Sequence, residues 1–318
     1  MNIPYNLTSR EQKQDNIQIE SFVTFSLEKN SSLVKVDIEV ENRAIEHRVR
    51  VLFKTRIEST ESIADQQFGT IRRPVYLSEV ENWRENGWNE KPRTIEPMQS
   101  FVSLANEYEN VSIITDCVRE YQITGEKFDT IALTLFRSTP EMGKAELKDR
   151  PGRASGMANW ETPDANLLKN LKFNFAIAIG KEEYSISKVS NISKEYLTPF
   201  YYYQAAEFKN VDIFFLMNKP EIQNIPFDYS IFSSENRNCI LSTVKKAEKD
   251  DALIIRVYNP DDKKSTNFDI IYHDDIKNTS LVKFDEETVM DNVEFSFAGN
   301  KIKINEVKTC QALSIKVK

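Results

Sequence analysis

His47 and His273 are the only histidines in a chain of 318 residues, and Cys117, Cys239 and Cys310 are its only cysteines. Few reactive sites can be assembled from so short a supply. A zinc centre draws on His, Cys and carboxylates at close spacing. Only His273-Asp274-Asp275 has such a spacing, and it follows a strand-like run and enters a polar turn, where a solvated loop is the simpler reading. His47, between Glu46 and Arg48, reads as an exposed or hydrogen-bonded strand residue. The three cysteines form neither a zinc pattern nor a disulfide framework, and they suit a reducing compartment. No G-x-S-x-G elbow and no glycine-rich phosphate loop occurs in a chain with only 8 glycines. Carboxylates are plentiful, but a glycosidase pair is defined by a spatial separation of about 5–10 Å, which residue order does not supply.

The most unusual local chemistry lies between Asp65 and Arg137. Asp65-Gln66-Gln67-Phe68-Gly69 precedes Arg72-Arg73-Pro74, then Trp83 and Trp88, then Pro97-Met98-Gln99-Ser100-Phe101-Val102. Aromatic rings beside amides and guanidiniums suit a sugar surface, because rings cover the apolar C–H faces and polar forks bind hydroxyls. The competing reading makes Trp83 and Trp88 loop anchors on a sandwich. The Phe200-Tyr201-Tyr202-Tyr203 run has the same two readings, with packing favoured.

The charge balance excludes other functions. Forty-two basic residues against 49 acidic ones give a net charge of −7 with both signs mixed along the chain, which disfavours broad nucleic-acid binding. The longest apolar stretches fall far short of the roughly 18 residues of a membrane span. The first residues lack the basic-then-apolar layout of a secretory signal, so the chain is expected to be soluble and cytoplasmic. In that compartment the Asn-x-Ser/Thr triplets at Asn6, Asn30, Asn110, Asn191 and Asn278 carry no meaning.

The elements that must position any site follow a period of two. Val34, Val36, Ile38 and Val40 alternate with charged residues as in a half-buried strand. Residues 47–53 repeat the pattern with Val49, Val51 and Phe53 inward, and an antiparallel pairing of these two strands across the 41–44 turn is expected. Ile131, Leu133 and Leu135 alternate with Ala132, Thr134 and Phe136. Phe173, Phe175, Ile177 and Ile179 alternate with smaller residues, as in a strand covered on both sides. Residues 211–216, 253–258, 268–272, 293–297, 301–304 and 313–317 also read as strands separated by turns. Residues 239–244 read as a strand running into a polar turn, despite the helical composition of 242–251. Helical signals are few; 141–149 has the propensity without the length. Antiparallel sheets packed face to face are therefore expected, as an all-β sandwich architecture. The loop-rich stretch 139–168 is either functional or an insertion. A second set of strands is expected from about residue 181, which divides the chain into 1–180 and 181–318, with partial interleaving of the two allowed.

These motifs, in this order, resemble the C-terminal half of glycoside hydrolase family 38, the α-mannosidases. The similarity runs through Asp65–Gly69 with Arg72-Arg73-Pro74, the 97–104 run, Arg119-Glu120-Tyr121, Ile131-Ala132-Leu133-Thr134-Leu135-Phe136-Arg137-Ser138 and Arg150-Pro151-Gly152. It returns at 241–248 and at Ile255-Arg256-Val257-Tyr258-Asn259, so it covers roughly residues 42–317. Bacterial members, mannosylglycerate hydrolases included, share it.

The resemblance implies a large galactose-mutarotase-like supersandwich followed by a smaller β-domain. It also implies a retaining mechanism whose nucleophile, acid/base carboxylate and zinc ion belong to an N-terminal catalytic domain that nothing in this chain matches. The chain is then expected to be inactive alone, with no catalytic or metal residue of its own. An arginine ending an L-x-L-x-R strand lies against the sugar in the family, and the matching residue is Arg137, which read alone suggests a strand-end arginine in a surface ion pair; a guanidinium suits the sugar contact because its fixed donors hold two oxygens at once. Asp65, Gln67 and Phe68 are the other candidate substrate contacts, on a loop that either approaches the catalytic face or packs the sandwich, and Arg150-Pro151-Gly152 reads as a turn. The expected partners are an α-mannoside or mannosylglycerate-like substrate and the catalytic domain, with zinc held there. An autonomous carbohydrate-binding module and a docking scaffold remain the alternatives.

Overall fold

The computed structural model describes residues 5–8, 16–117, 119–144, 146–147, 149–151, 160–202 and 229–318. The all-β expectation holds for them. A seven-stranded antiparallel sheet runs in the order Ser21–Leu27, Leu33–Glu41, Asn170–Gly180, Asn110–Thr115, Phe101–Ala105, Glu61–Gln66, Gly69–Pro74. Facing it is a four-stranded sheet in the order Arg48–Lys54, Thr130–Arg137, Glu120–Thr124, Ile95–Pro97. Their inner faces interdigitate around Val36, Ile38, Leu104, Ile113, Leu133 and Phe175. Burial of such alternating apolar faces is the main favourable term for this layer pair.

A second, smaller sandwich follows. One of its sheets runs Phe232–Ser233, Thr266–Tyr272, Lys301–Val307, Phe295–Ala298, and the other Ile240–Lys246, Leu253–Tyr258, Ala312–Val317, Thr279–Val282. Ile255, Ile270, Ile302 and Ile315 meet between them. The stretch 242–251 is strand through Lys246 and then turn, as the sequence suggests. The strand expected at 211–216 and Tyr203 lie outside the described residues.

Three expectations need correction. The strands Leu33–Glu41 and Arg48–Lys54 do not pair with each other. The first pairs with Asn170–Gly180 and Ser21–Leu27, the second with Thr130–Arg137. Both present an apolar face, so they stack across the core instead of sharing an edge. The link between them is pinned by Asn42, whose Nδ2 donates to the carbonyls of Asn166 and Leu167 at 2.9 and 3.0 Å.

The second correction is a helix, Ile186–Leu197, capped by the Ser185 hydroxyl, which accepts from the Lys188 amide. Ile186 and Val189 are buried, and Val189 packs with Phe101, Ile114, Ala176 and Ala178 on the outer face of the seven-stranded sheet. That cover explains why the strand at 170–180 has small residues opposite its large ones. Third, Arg150–Pro151 is not a turn but a short strand paired with Glu146–Leu147; Gly152 lies outside the described residues.

Candidate functional site

Arg137 ends the Thr130–Arg137 strand, and a β-bulge decides where it points. Strict alternation would send Leu133 and Leu135 inward and Phe136 outward. The pairing with Arg48–Lys54 instead slips by one residue between Thr134 and Phe136. Leu135 and Phe136 then both enter the core, and Arg137 emerges on the outer face opposite Arg48. The extra residue is what turns a guanidinium out of the sandwich.

The neighbouring strand fixes that guanidinium. Glu120 accepts from Arg137 Nη2 at 2.8 Å and from Nε at 3.2 Å, and it also accepts from the Thr134 hydroxyl at 2.6 Å. Burial works against ionisation of Glu120, but the hydrogen bonds from Arg137 and Thr134 and the charges of Arg137 and Arg48 outweigh it. Its carboxyl is held below the usual range. Glu120 therefore stays an anion that aims Arg137.

Beside Arg137 lies a cavity of about 380 Å³, walled by Glu46, His47, Arg48 and the loop from Ser138 to Lys144. Glu46 sits at φ +54°, in the left-handed region that non-glycine residues seldom occupy. Its Oε1 pairs with Lys144 Nζ at 2.6 Å. His47 Nδ1 is 3.0 Å from the Ser138 hydroxyl, and its ring stands edge to face with Phe136. Burial lowers its pKa, outweighing the hydrogen bond to the Ile45 backbone. The sequence reading thus holds for His47 as a hydrogen-bonded side chain. It missed Arg48, Glu120 and Thr134 as neighbours of Arg137, because only the strand pairing brings them together.

Asp65, Gln67 and Phe68 belong to another place, the hairpin of Glu61–Gln66 with Gly69–Pro74. Phe68, at φ +59°, lies between Tyr258 and Phe284 of the second sandwich, with centroids 5.8 and 5.5 Å away. The Thr70 hydroxyl donates to the Pro260 carbonyl at 3.0 Å, and Arg72 bridges Glu61 and Asp262 at 2.6 and 2.9 Å. Gly69 is required here, since a Cβ would run into the Cys310 side chain. The hairpin is a brace between the two sandwiches. Gln67 is exposed at its tip, and none of the three residues lines the Arg137 cavity. Trp83 is buried with the Arg84 guanidinium 4.9 Å over its ring, whereas Trp88 and the described part of the 200–203 run are exposed.

Asp65 is buried in that brace and accepts from the Ser100 hydroxyl, which in turn accepts from Ser193 at 2.9 Å. Burial raises its pKa, against the pull of the Ser100 hydrogen bond and of Lys194 and Arg119. A carboxyl whose folded pKa is raised holds its proton longer in the native state, so it costs stability as pH rises past the ordinary value of about 4. Asp65→Asn should accept the same Ser100 bond without that cost. In melts from pH 4 to pH 8 the variant should gain on the parent as pH rises; a constant difference would contradict this.

Comparison with known proteins decides the family. The glycosyl hydrolases family 38 C-terminal domain matches residues 11–141, and the family 38 C-terminal beta sandwich domain matches 238–316. The chain belongs to the C-terminal region of family 38 glycosyl hydrolases. It is 24% identical over 292 residues to a protein of Halalkalibacterium halodurans described as a "putative mannosylglycerate hydrolase", covering 90% of this chain and 28% of that protein. Its fold matches an alpha-mannosidase from Enterococcus faecalis with a TM-score of 0.73 at 16% identity, covering 96% of this chain and 29% of that one. A second family 38 protein from Enterococcus faecalis matches with a TM-score of 0.71 at 15% identity, covering 97% and 31%. The chain spans less than a third of the length of each of these relatives.

Metal-ligating side chains do not cluster among the described residues. No group of three or more His, Cys, Asp or Glu is arranged there to hold a metal ion. His273 is exposed, edge to face with Tyr229 at 4.5 Å, and its Nε2 is 3.9 Å from the Asp274 carboxylate. No described helix is long and apolar enough to cross a membrane.

Proposed function

We propose that this chain is the C-terminal β-sandwich part of a retaining α-mannosidase-type glycosidase acting on α-mannosides, mannosylglycerate-like sugars among them. It supplies scaffold and one substrate contact, Arg137, to a catalytic domain outside these 318 residues, in the cytoplasm. The nucleophile, the acid/base carboxylate and the zinc ion belong to that domain. The observation that carries this reading is the aimed guanidinium. A bulge turns Arg137 outward, Glu120 fixes it from one side, and a cavity large enough for a sugar ring opens on the other. Family membership and the relatives' descriptions support the chemistry, and the fraction of the relatives that this chain spans supports the division of labour.

The hairpin carrying Asp65, Gln67 and Phe68 serves this reading indirectly, by locking the two sandwiches into one platform. The reading is tested with the purified chain and 4-nitrophenyl α-D-mannopyranoside, with and without added zinc. No turnover above buffer is expected. Hydrolysis at a rate near the ~10 s⁻¹ typical of enzymes would overturn it. Tight, saturable binding of methyl α-mannoside by the same chain would point to an autonomous binding module instead.

A further inference from the structure

Arg48 stands directly across the strand pair from Arg137, and the two guanidiniums share a single carboxylate. The share is unequal. Glu120 is taken by Arg137 and Thr134, leaving Arg48 Nη1 at 3.6 Å, beyond hydrogen-bond reach. That Nη1 is buried and has no hydrogen-bond partner. Arg50, the next outward residue on the same strand, is already satisfied by Gln122 at 2.8 Å. Lys144 is paired with Glu46, and Glu141 is the other carboxylate on the cavity wall. Burial and the like charges of Arg50 and Arg137 lower the pKa of Arg48, against the attraction of Glu120. A buried cationic donor left without an acceptor is costly, and this one lines the cavity beside Arg137.

We infer that Arg48 is a specificity-determining residue: together with Arg137 it forms a two-guanidinium clamp for a carboxylate carried by the sugar substrate. The inference rests on the reading of Arg137 as a sugar contact and deepens it by naming the residue that recognises an acidic aglycone. Planar guanidiniums and a planar carboxylate match in geometry, with parallel N–H···O bonds that an uncharged hydroxyl cannot reproduce. Such a clamp discriminates because, with a neutral substrate, the buried donor stays unpaired.

The test uses the full 318-residue chain labelled with 15N-arginine, titrated separately with D-glycerate, glycerol and methyl α-D-mannopyranoside at 0.15 M NaCl. D-Glycerate should shift the Arg48 and Arg137 side-chain resonances saturably, and glycerol should not. Arg48→Gln should weaken glycerate binding at least tenfold, and Arg48→Lys, which keeps the charge but loses the fork, by a smaller factor. Thermal melts of both variants report folding, and the lysine variant carries the test if the glutamine variant does not fold. Undiminished glycerate binding in the folded variants overturns the clamp, as does the absence of any glycerate shift in the parent. A saturable response to the mannoside without one to glycerate overturns the clamp and points to the autonomous binding module. A response to glycerate without one to the mannoside is what the clamp predicts for the chain without its catalytic domain.

Discussion

Replacing Arg137 with alanine in the complete enzyme is expected to lower kcat/KM for an α-mannoside roughly 10- to 100-fold, with little change in melting temperature. The size follows from losing hydrogen bonds of a charged donor, worth about 1.5–3 kcal/mol when made in a site that excludes water. The small effect on folding follows from the exposure of Arg137, since ion pairs at exposed sites contribute little to stability. Glu120 acts through Arg137 as a positioning residue. Glu120→Gln should therefore reduce activity less than Arg137→Ala and add little in the Arg137→Ala background. That non-additivity, read from steady-state kinetics of the two single variants and the double variant, separates positioning from a general loss of structure. Additive losses would mean that Glu120 has a separate role.

Truncating Leu133 to alanine should cost about 2–5 kcal/mol of unfolding free energy, the range for deleting a buried aliphatic side chain from a packed core. Leu133 is fully buried on the strand that carries Arg137, within the cluster shared by both sheets of the larger sandwich. Leu52, on the adjacent strand, points outward and is 60% exposed. Leu52→Ser should stay within about 0.5 kcal/mol. Urea unfolding of the two variants side by side measures the contrast. Equal losses would contradict the assignment of inner and outer faces.

The all-β architecture was legible because period-two alternation is a local property. Val34 to Val40 and Val49 to Phe53 declare their inner faces whatever they pair with. The pairing itself was not legible. Two strands joined by a short turn would ordinarily form a hairpin, yet here they lie in opposing sheets, held apart by the Asn42 crossing to residues 166 and 167. The helix at 186–197 was missed because Ser190 and Ser193 share its buried face and dilute the apolar pattern, although Ser185 and the Ile186, Val189 and Ile192 spacing were available as signals.

The site shows the same division. Arg137 became a candidate only through the family resemblance of the strand it ends; read alone it suggested a strand-end ion pair, and one with Glu120 is present. Its surroundings could not be picked out, because the bulge between Thr134 and Phe136 reverses the face that alternation assigns to Phe136. Alternation did place Arg48 and Arg50 on one face, but nothing local showed that this face lies against Arg137. For the Asp65 hairpin, composition suggested a sugar surface while the contacts of Phe68 and Arg72 reach the second sandwich. Aromatic and cationic side chains serve an interdomain brace as readily as a ligand.

The most direct measurement is a crystal structure of the complete enzyme with a non-hydrolysed α-mannoside analogue in its active site. The Arg137 guanidinium is expected within hydrogen-bond distance, about 2.7–3.2 Å, of a sugar oxygen, with Glu120 still bound to its Nε and Nη2. An Arg137 side chain separated from the sugar by another residue, or facing bulk solvent away from the catalytic cleft, would contradict the account.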